Sequence, residues 1–184
     1  MEYVEGQSLD RLSKGARLPL NTTLDYALQI LRGMEYAHRM KIIHRDLKPM
    51  NILVRKDNII KIADFGLAKL VGSSGVTMAG TVMGSPLYMS PEQAMGEETD
   101  ERSDIYSFSM VLYELVAGTP AFTGMPKDVI AQQIQAMPAK PSTVITVPRW
   151  IDDMIMKGLA KDKAQRYQSV SEIIAEITEK SRPV

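Results

Sequence analysis

The chain contains no cysteine, so disulfides and thiolate-bound metals are excluded, and a reducing compartment suits it. No apolar run approaches the roughly 18 residues a membrane helix needs. Charge of either sign is not in excess: 22 Lys and Arg balance 22 Asp and Glu. No sequence-wide attraction to nucleic acid or to an anionic membrane follows. The opening residues, Met1-Glu2-Tyr3-Val4-Glu5, are acidic and short of apolar side chains, so they are no signal peptide. Internal repeats and low-complexity tracts are also missing. What is present is enough apolar material, 45% of 184 residues against 24% charged, for one globular domain with a sizeable core.

Met1 to Gly6 reads as a short strand ending in a turn, followed by a brief helix over 8–12 capped by Ser8. From Thr22 to Met40 the apolar residues Leu24, Ala27, Leu28, Leu31, Met34 and Ala37 fall on a 3.6-residue period, which predicts a core helix. Two β-rich runs, 51–54 and 59–62, flank the turn residues Lys56-Asp57-Asn58 and predict an antiparallel hairpin. Residues 67–92 are long and rich in Gly, Ser and Thr, the kind of loop that is functional or mobile in compact domains. Ser103-Asp104 opens a stretch apolar on most faces, predicting a central buried helix that stops at Gly118-Thr119-Pro120. Weaker helical patterns cover 127–137, 148–159 and 170–180. The fold class expected is mainly α with a small β-hairpin.

Chemistry-bearing residues concentrate in His44-Arg45-Asp46-Leu47-Lys48-Pro49-Met50-Asn51. Eighteen residues after Asp46 stands a second acid, in Asp64-Phe65-Gly66. A hairpin between them brings Asn51 and Asp64 to one place, because it returns the chain to where it left. Further on come Gly84-Ser85-Pro86-Leu87-Tyr88-Met89-Ser90-Pro91-Glu92, then Asp104-Ile105-Tyr106-Ser107, then Arg166-Tyr167.

These blocks, in this order, resemble the large lobe of eukaryotic-type protein kinases. Lys48-Pro49 is similar to the serine/threonine branch. Met89 to Ala94 and Ser103 to Ser107 resemble bacterial members. A lone Asp-Phe-Gly would mean little; the combination covers nearly the whole chain. On the resemblance, residues 1–184 form a kinase C-lobe, with a hinge at 1–7, a catalytic loop at 44–51, an activation segment at 64–92 and a helical subdomain at 103–180.

The resemblance implies ATP and Mg²⁺ (or Mn²⁺) as cofactors and a protein substrate as partner, with no nucleic acid and no direct membrane insertion. Asp46 would orient the acceptor hydroxyl and take its proton, and Lys48 would neutralise the transferring phosphoryl group. Asn51 and Asp64 would hold the metal through hard oxygen ligands. Leu53 would form the floor beneath adenine, and Glu2 and Val4 would offer hinge backbone groups to its edge. Ser85, Val82, Pro86 and Met89 would seat the substrate. His44 is expected as a packed imidazole beside Phe65 rather than a base, with His38 unremarkable. Glu92 and Arg166 would form a buried ion pair, and Asp104 would hold the backbone of the catalytic loop. Arg45 would receive a phosphate from the long loop, first from Thr77, then Thr81. Of the acids that select basic substrates, Glu114 alone matches such a position.

The sequence carries no Gly-rich phosphate loop and no lysine in a Val-Ala-Ile-Lys-like setting. The expectation is therefore a kinase fragment or split kinase, inactive alone or needing a small lobe supplied by upstream sequence or another chain. The alternative is a non-catalytic, kinase-like binding or scaffold module. A cytoplasmic location is expected, or the cytosolic part of a membrane-anchored kinase.

Overall fold

The structure, a computed structural model, describes residues 5–13, 17–65 and 86–182. Among them the order is β1 (Gly6–Ser8), α1 (Leu9–Ser13), α2 (Leu20–Arg39), β2 (Ile52–Arg55), β3 (Ile60–Ile62), α3 (Pro91–Met95), α4 (Glu101–Ala117), α5 (Pro126–Gln135), α6 (Arg149–Gly158) and α7 (Val170–Lys180). Helices dominate, and the strands form one small antiparallel sheet in the order β1-β2-β3. No helix among the described residues is long and apolar enough to cross a membrane.

Helix α4 is the centre. Thirteen of its 17 residues are buried, so it is covered on nearly every side, as its unbroken apolar run predicts. Asp100 and Ser103 cap its start in a reciprocal capping box, and Gly118 ends it at φ 80°, a left-handed conformation glycine adopts without steric cost. α2 lies against α4, α7 and β3. It starts two residues before the expected Thr22, straight after Pro19, whose carbonyl accepts from Thr23 N–H at 2.9 Å. Its other end closes with paired bonds, Ile42 N–H to Ala37 O and Lys41 N–H to His38 O, both 2.9 Å. Lys41 takes the left-handed position there at φ 58°, the geometry of a Schellman motif without glycine.

The predicted hairpin is present, but the sheet has a third strand. β1 begins where the expected strand was to end, and Ser8 pairs with Leu53 rather than standing free as a cap. Gly6 is required at this edge: a Cβ there would lie 2.3 Å from the Val54 carbonyl oxygen. Helix α2 holds the hairpin's turn. Tyr26 donates to the Asn58 side chain at 3.1 Å, Gln29 donates to the Asn58 carbonyl at 3.1 Å, and Gln29 accepts from Ile60 N–H at 2.9 Å. Ile52 and Val54 point into the core at 0% and 4% exposure, so Leu53 lies on the opposite, half-covered face.

α6 crosses α4 at its last residue. A Cβ at Gly158 would lie 2.0 Å from Ser109 Oγ and 2.9 Å from Ser109 Cβ. Ser109 is itself buried and donates to Ile105 O at 2.8 Å. Alanine at 158 would gain up to about 1 kcal/mol of helix propensity, but overpacking of a filled core costs about 1–3 kcal/mol. Gly158→Ala should therefore lower the urea midpoint, and adding Ser109→Gly should recover part of the loss. A Gly158→Ala chain as stable as the parent would show that the contact relaxes freely.

Candidate active site

Asp104 organises the site. It lies in the first turn of α4, fully buried, where the helix's unpaired N–H groups favour negative charge. Its Oδ2 accepts from His44 N–H at 2.8 Å, and its Oδ1 from Arg45 N–H at 2.9 Å. A third partner is His38, whose Nε2 lies 2.8 Å from Oδ2. His38 is 5% exposed. It is thus part of the loop's support, not the unremarkable helix end the sequence suggests. Its spacing puts it on the apolar stripe of α2, but the acid it meets lies 66 residues on and no local pattern marks it.

Arg45 needs that support, because its backbone sits at φ 66°, a region costing a non-glycine residue about 1–2 kcal/mol. Its N–H is held by Asp104, and its carbonyl accepts from Gln93 Nε2 at 2.6 Å. Gln93 is positioned by the α3 capping box with Ser90. Arg45 Nε is buried with no partner among the described residues.

His44 is locked by its own ring. Asp46 N–H donates to Nδ1 at 3.2 Å, so Nε2 carries the hydrogen and donates to Ala63 O at 2.9 Å. With both nitrogens occupied by backbone, the imidazole has no basic atom to offer. Its ring packs on Phe65, centroids 4.7 Å apart.

Around this frame the polar side chains converge. Lys48 Nζ lies 2.6 Å from Asp46 Oδ2. Asn51 Nδ2 donates to the Asp46 carbonyl at 2.8 Å and to its carboxylate at 3.2 Å. Asp46 is half exposed and Asn51 buried, so the acid faces outward from a fixed base. Ala63 N–H donates to Asn51 O at 2.8 Å, which extends the β2–β3 ladder one pair and sets Asp64 beside Asn51 at the open end of the hairpin. Asp64 is exposed, at φ 62°.

A hard divalent ion fits these donors. The amide nitrogen of Asn51 is committed to Asp46, which leaves its Oδ1 as an acceptor, and the Asp64 carboxylate belongs to the residue after its ladder partner Ala63. Two oxygen donors of this kind suit Mg²⁺, which keeps several waters and phosphate oxygens as its other ligands. No cluster of three or more His, Cys, Asp or Glu able to hold a metal occurs among the described residues; a dedicated protein cage is not the pattern here.

Glu92, on α3, and Arg166 form a buried bidentate pair at 2.8 and 2.9 Å. The remaining Arg166 donors reach the carbonyls of Ala160, Arg102 and Lys161, so every guanidinium N–H is used. Ser103 adds a bond to Glu92 at 2.6 Å. Pro86 and Met89 stand at the 3-10 turn Pro86–Tyr88 that leads into α3. Glu114 is half-buried. It accepts from Tyr88 OH at 2.5 Å, and burial raises its pKa although that bond opposes the shift. Glu2, Val4, Thr77, Thr81, Val82 and Ser85 lie outside the described residues.

The fold and this loop–hairpin arrangement define a protein-kinase-like domain, and comparison with known families agrees. The family model described as the protein kinase domain matches residues 1–178. The chain belongs to the protein kinase domain family. It is 42% identical over 180 residues to a probable serine/threonine-protein kinase of Clostridium perfringens, covering 96% of this chain and 26% of that one. It is 41% identical over 182 residues to a probable serine/threonine-protein kinase of Streptomyces coelicolor, with 96% and 27% covered. Against the serine/threonine-protein kinase PknB of Mycobacterium tuberculosis identity is 37% over 183 residues, with 96% and 29% covered. The chain thus spans between about a quarter and three-tenths of the length of the curated relatives it matches.

The buried pair makes stability depend on acid. Burial alone would raise the Glu92 pKa, but Arg166 and Ser103 outweigh it and hold the carboxyl below its ordinary value. A depressed carboxyl contributes stability above its unfolded pKa, about 4.3, and loses it as pH falls through the folded value. Glu92→Gln should cost about 3 kcal/mol at pH 7 and flatten the decline below about pH 4.3. Urea melts of parent and variant with parallel acid limbs would refute this account of the pair.

Proposed function

We propose that this chain is the metal-, nucleotide- and acceptor-facing part of a serine/threonine protein kinase, which transfers the γ-phosphate of ATP to Ser or Thr hydroxyls of proteins. The supporting observation is the joint geometry of Asp46, Lys48 and Asn51, hydrogen-bonded as one set at the hairpin end where Asp64 also stands. A non-catalytic module would need none of these four groups in register.

In this reading Asp46 is the atom-level acceptor of the reaction's proton. An acceptor hydroxyl held at its outward carboxylate oxygen gives up its hydrogen there as its oxygen bonds to the γ-phosphorus and the bond to the ADP oxygen breaks. Positioning and charge neutralisation carry most of such a step. Lys48, tied to Asp46, supplies positive charge beside the transferring group. Asn51 Oδ1 and Asp64 would hold Mg²⁺, which neutralises phosphate charge when bound. Leu53, on the outer face of the sheet, would lie against adenine, with backbone groups of Glu2 and Val4 at its edge.

The same reading assigns residues 1–184 to the kinase C-lobe with the hinge at 1–7, the catalytic loop at 44–51, the activation segment at 64–92 and the helical subdomain at 103–180. Thr77, or Thr81, would carry the phosphate that pairs with Arg45, whose buried Nε supports the assignment. Ser85, Val82, Pro86 and Met89 would seat the acceptor segment. The phosphate-contacting lysine and Gly-rich loop would come from a small lobe, on upstream sequence or on another chain.

A ligand that binds only the folded state stabilises it by about 2.7 kcal/mol at one hundred times its Kd. MgATP should therefore raise the melting temperature of the chain, with a larger rise once a small lobe is supplied. Asp64→Ala and Asn51→Ala should abolish the rise. Asp46→Asn should retain it while eliminating labelling of a protein substrate in the presence of the small lobe. An undiminished shift in Asp64→Ala would sink the assignment of the metal site.

A further inference from the structure

Behind the Pro86–Tyr88 turn runs a buried polar chain that the catalytic motifs do not explain. Gln133, on α5 and without solvent exposure, donates through Nε2 to the carbonyls of Pro86 at 3.1 Å and Leu87 at 2.8 Å. Its Oε1 accepts from Tyr106 OH at 2.6 Å. Lys161 Nζ donates to that same hydroxyl oxygen at 2.8 Å and to the Gln133 carbonyl at 2.8 Å.

The direction of these bonds agrees from both ends, since the Pro86 and Leu87 carbonyls can only accept. An ammonium has donors only. The Tyr106 oxygen must therefore accept from Lys161 and give its single hydrogen to Gln133. Gln133 must then present its oxygen to Tyr106, which leaves its NH₂ to face the turn. Without the ammonium, the Tyr106 hydroxyl oxygen and the Gln133 carbonyl both lose their donor, and Gln133 is no longer tied at its far side.

Among the described residues no carboxylate pairs with Lys161. Its bonds go to neutral oxygens, and it stands 5.1 Å from the ring centroids of both Tyr106 and Phe122. Burial first, then the like-charged Arg166 guanidinium, draw its pKa down to about 8. A desolvated ammonium without a counter-ion opposes folding, so packing stability is not what this lysine supplies.

We propose that Lys161 is a positioning residue for the acceptor site: by anchoring Tyr106 and Gln133 it holds the Pro86–Tyr88 turn against which the acceptor segment lies. The acceptor half of this inference rests on the kinase reading; the hold on the turn does not.

Amide hydrogen exchange of the chain at pH 7 separates the two. In Lys161→Met and in Gln133→Leu, exchange at Leu87, Tyr88 and Met89 should accelerate about tenfold while the α2 amides stay unchanged, since local opening need not involve the core. The double variant should be no faster than either single one, because both break the same chain. Gly158→Ala serves as the control for general destabilisation and should speed exchange throughout. Unchanged exchange at the turn, acceleration shared equally by α2, or additive effects in the double variant would overturn the proposal. In the complex with a small lobe, Lys161→Met should raise KM for a degenerate threonine-peptide mixture about tenfold, with kcat and KM for ATP unmoved, the pattern of lost uniform binding. A fall in kcat with KM unmoved would overturn the acceptor role. No transfer by the unaltered complex would sink the kinase reading and that role together, leaving the exchange result to decide the turn.

Discussion

The carboxylate of Asp104 is the constraint on which the site depends. Three groups donate to its two oxygens, and two of them are the consecutive backbone amides of His44 and Arg45. Backbone N–H groups in a tight turn must find partners or lose several bonds' worth of solvation. By meeting that demand, Asp104 makes the left-handed conformation at Arg45 affordable and aims the next residue, Asp46, outward. The acid sits on the most buried helix of the fold, so the loop inherits the rigidity of the core.

A second layer of polar groups ties the far side together. Glu92 joins α3 to Arg166, and through Ser103 to the start of α4, one residue before Asp104. The ends of the functional segments are thus fastened to one short stretch of one helix. Buried charge is a weak source of net stability, and its placement here matches a different role: full use of the Arg166 donors allows few alternative arrangements of the segments it touches.

Much of this was legible in the sequence where a single element carried the signal. The helix over 170–180 was readable from its apolar spacing, and the hairpin from its β-branched runs around Lys56-Asp57-Asn58. β1 was not, because Gly6-Gln7-Ser8 has no strand-forming side chain; it pairs through its backbone, where Gly6 permits the approach to Val54. α3 is a single capped turn and too short to show a period. At the site, the backbone pairing of Asn51 with Ala63, the neighbour of Asp64, followed from the hairpin alone. The part played by His38 did not, because it needs the partner on α4, 66 residues away. Lys161, Tyr106 and Gln133 come from three separate segments, and no local pattern marks them as neighbours. The bond to Glu114 was hidden for a related reason: the Tyr88 hydroxyl that donates to it becomes visible only when the turn is folded.

Gln93 shows how one side chain can serve two masters. Its Oε1 accepts from Ser90 N–H at 3.0 Å, while its Nε2 reaches the Arg45 carbonyl. Glutamate is the commoner partner of serine in such a box and would complete the cap equally well, yet it would set a negative oxygen against that carbonyl. The amide is therefore dictated by the loop and not by the helix it caps, and a relative with an acid here must brace its loop by some other route.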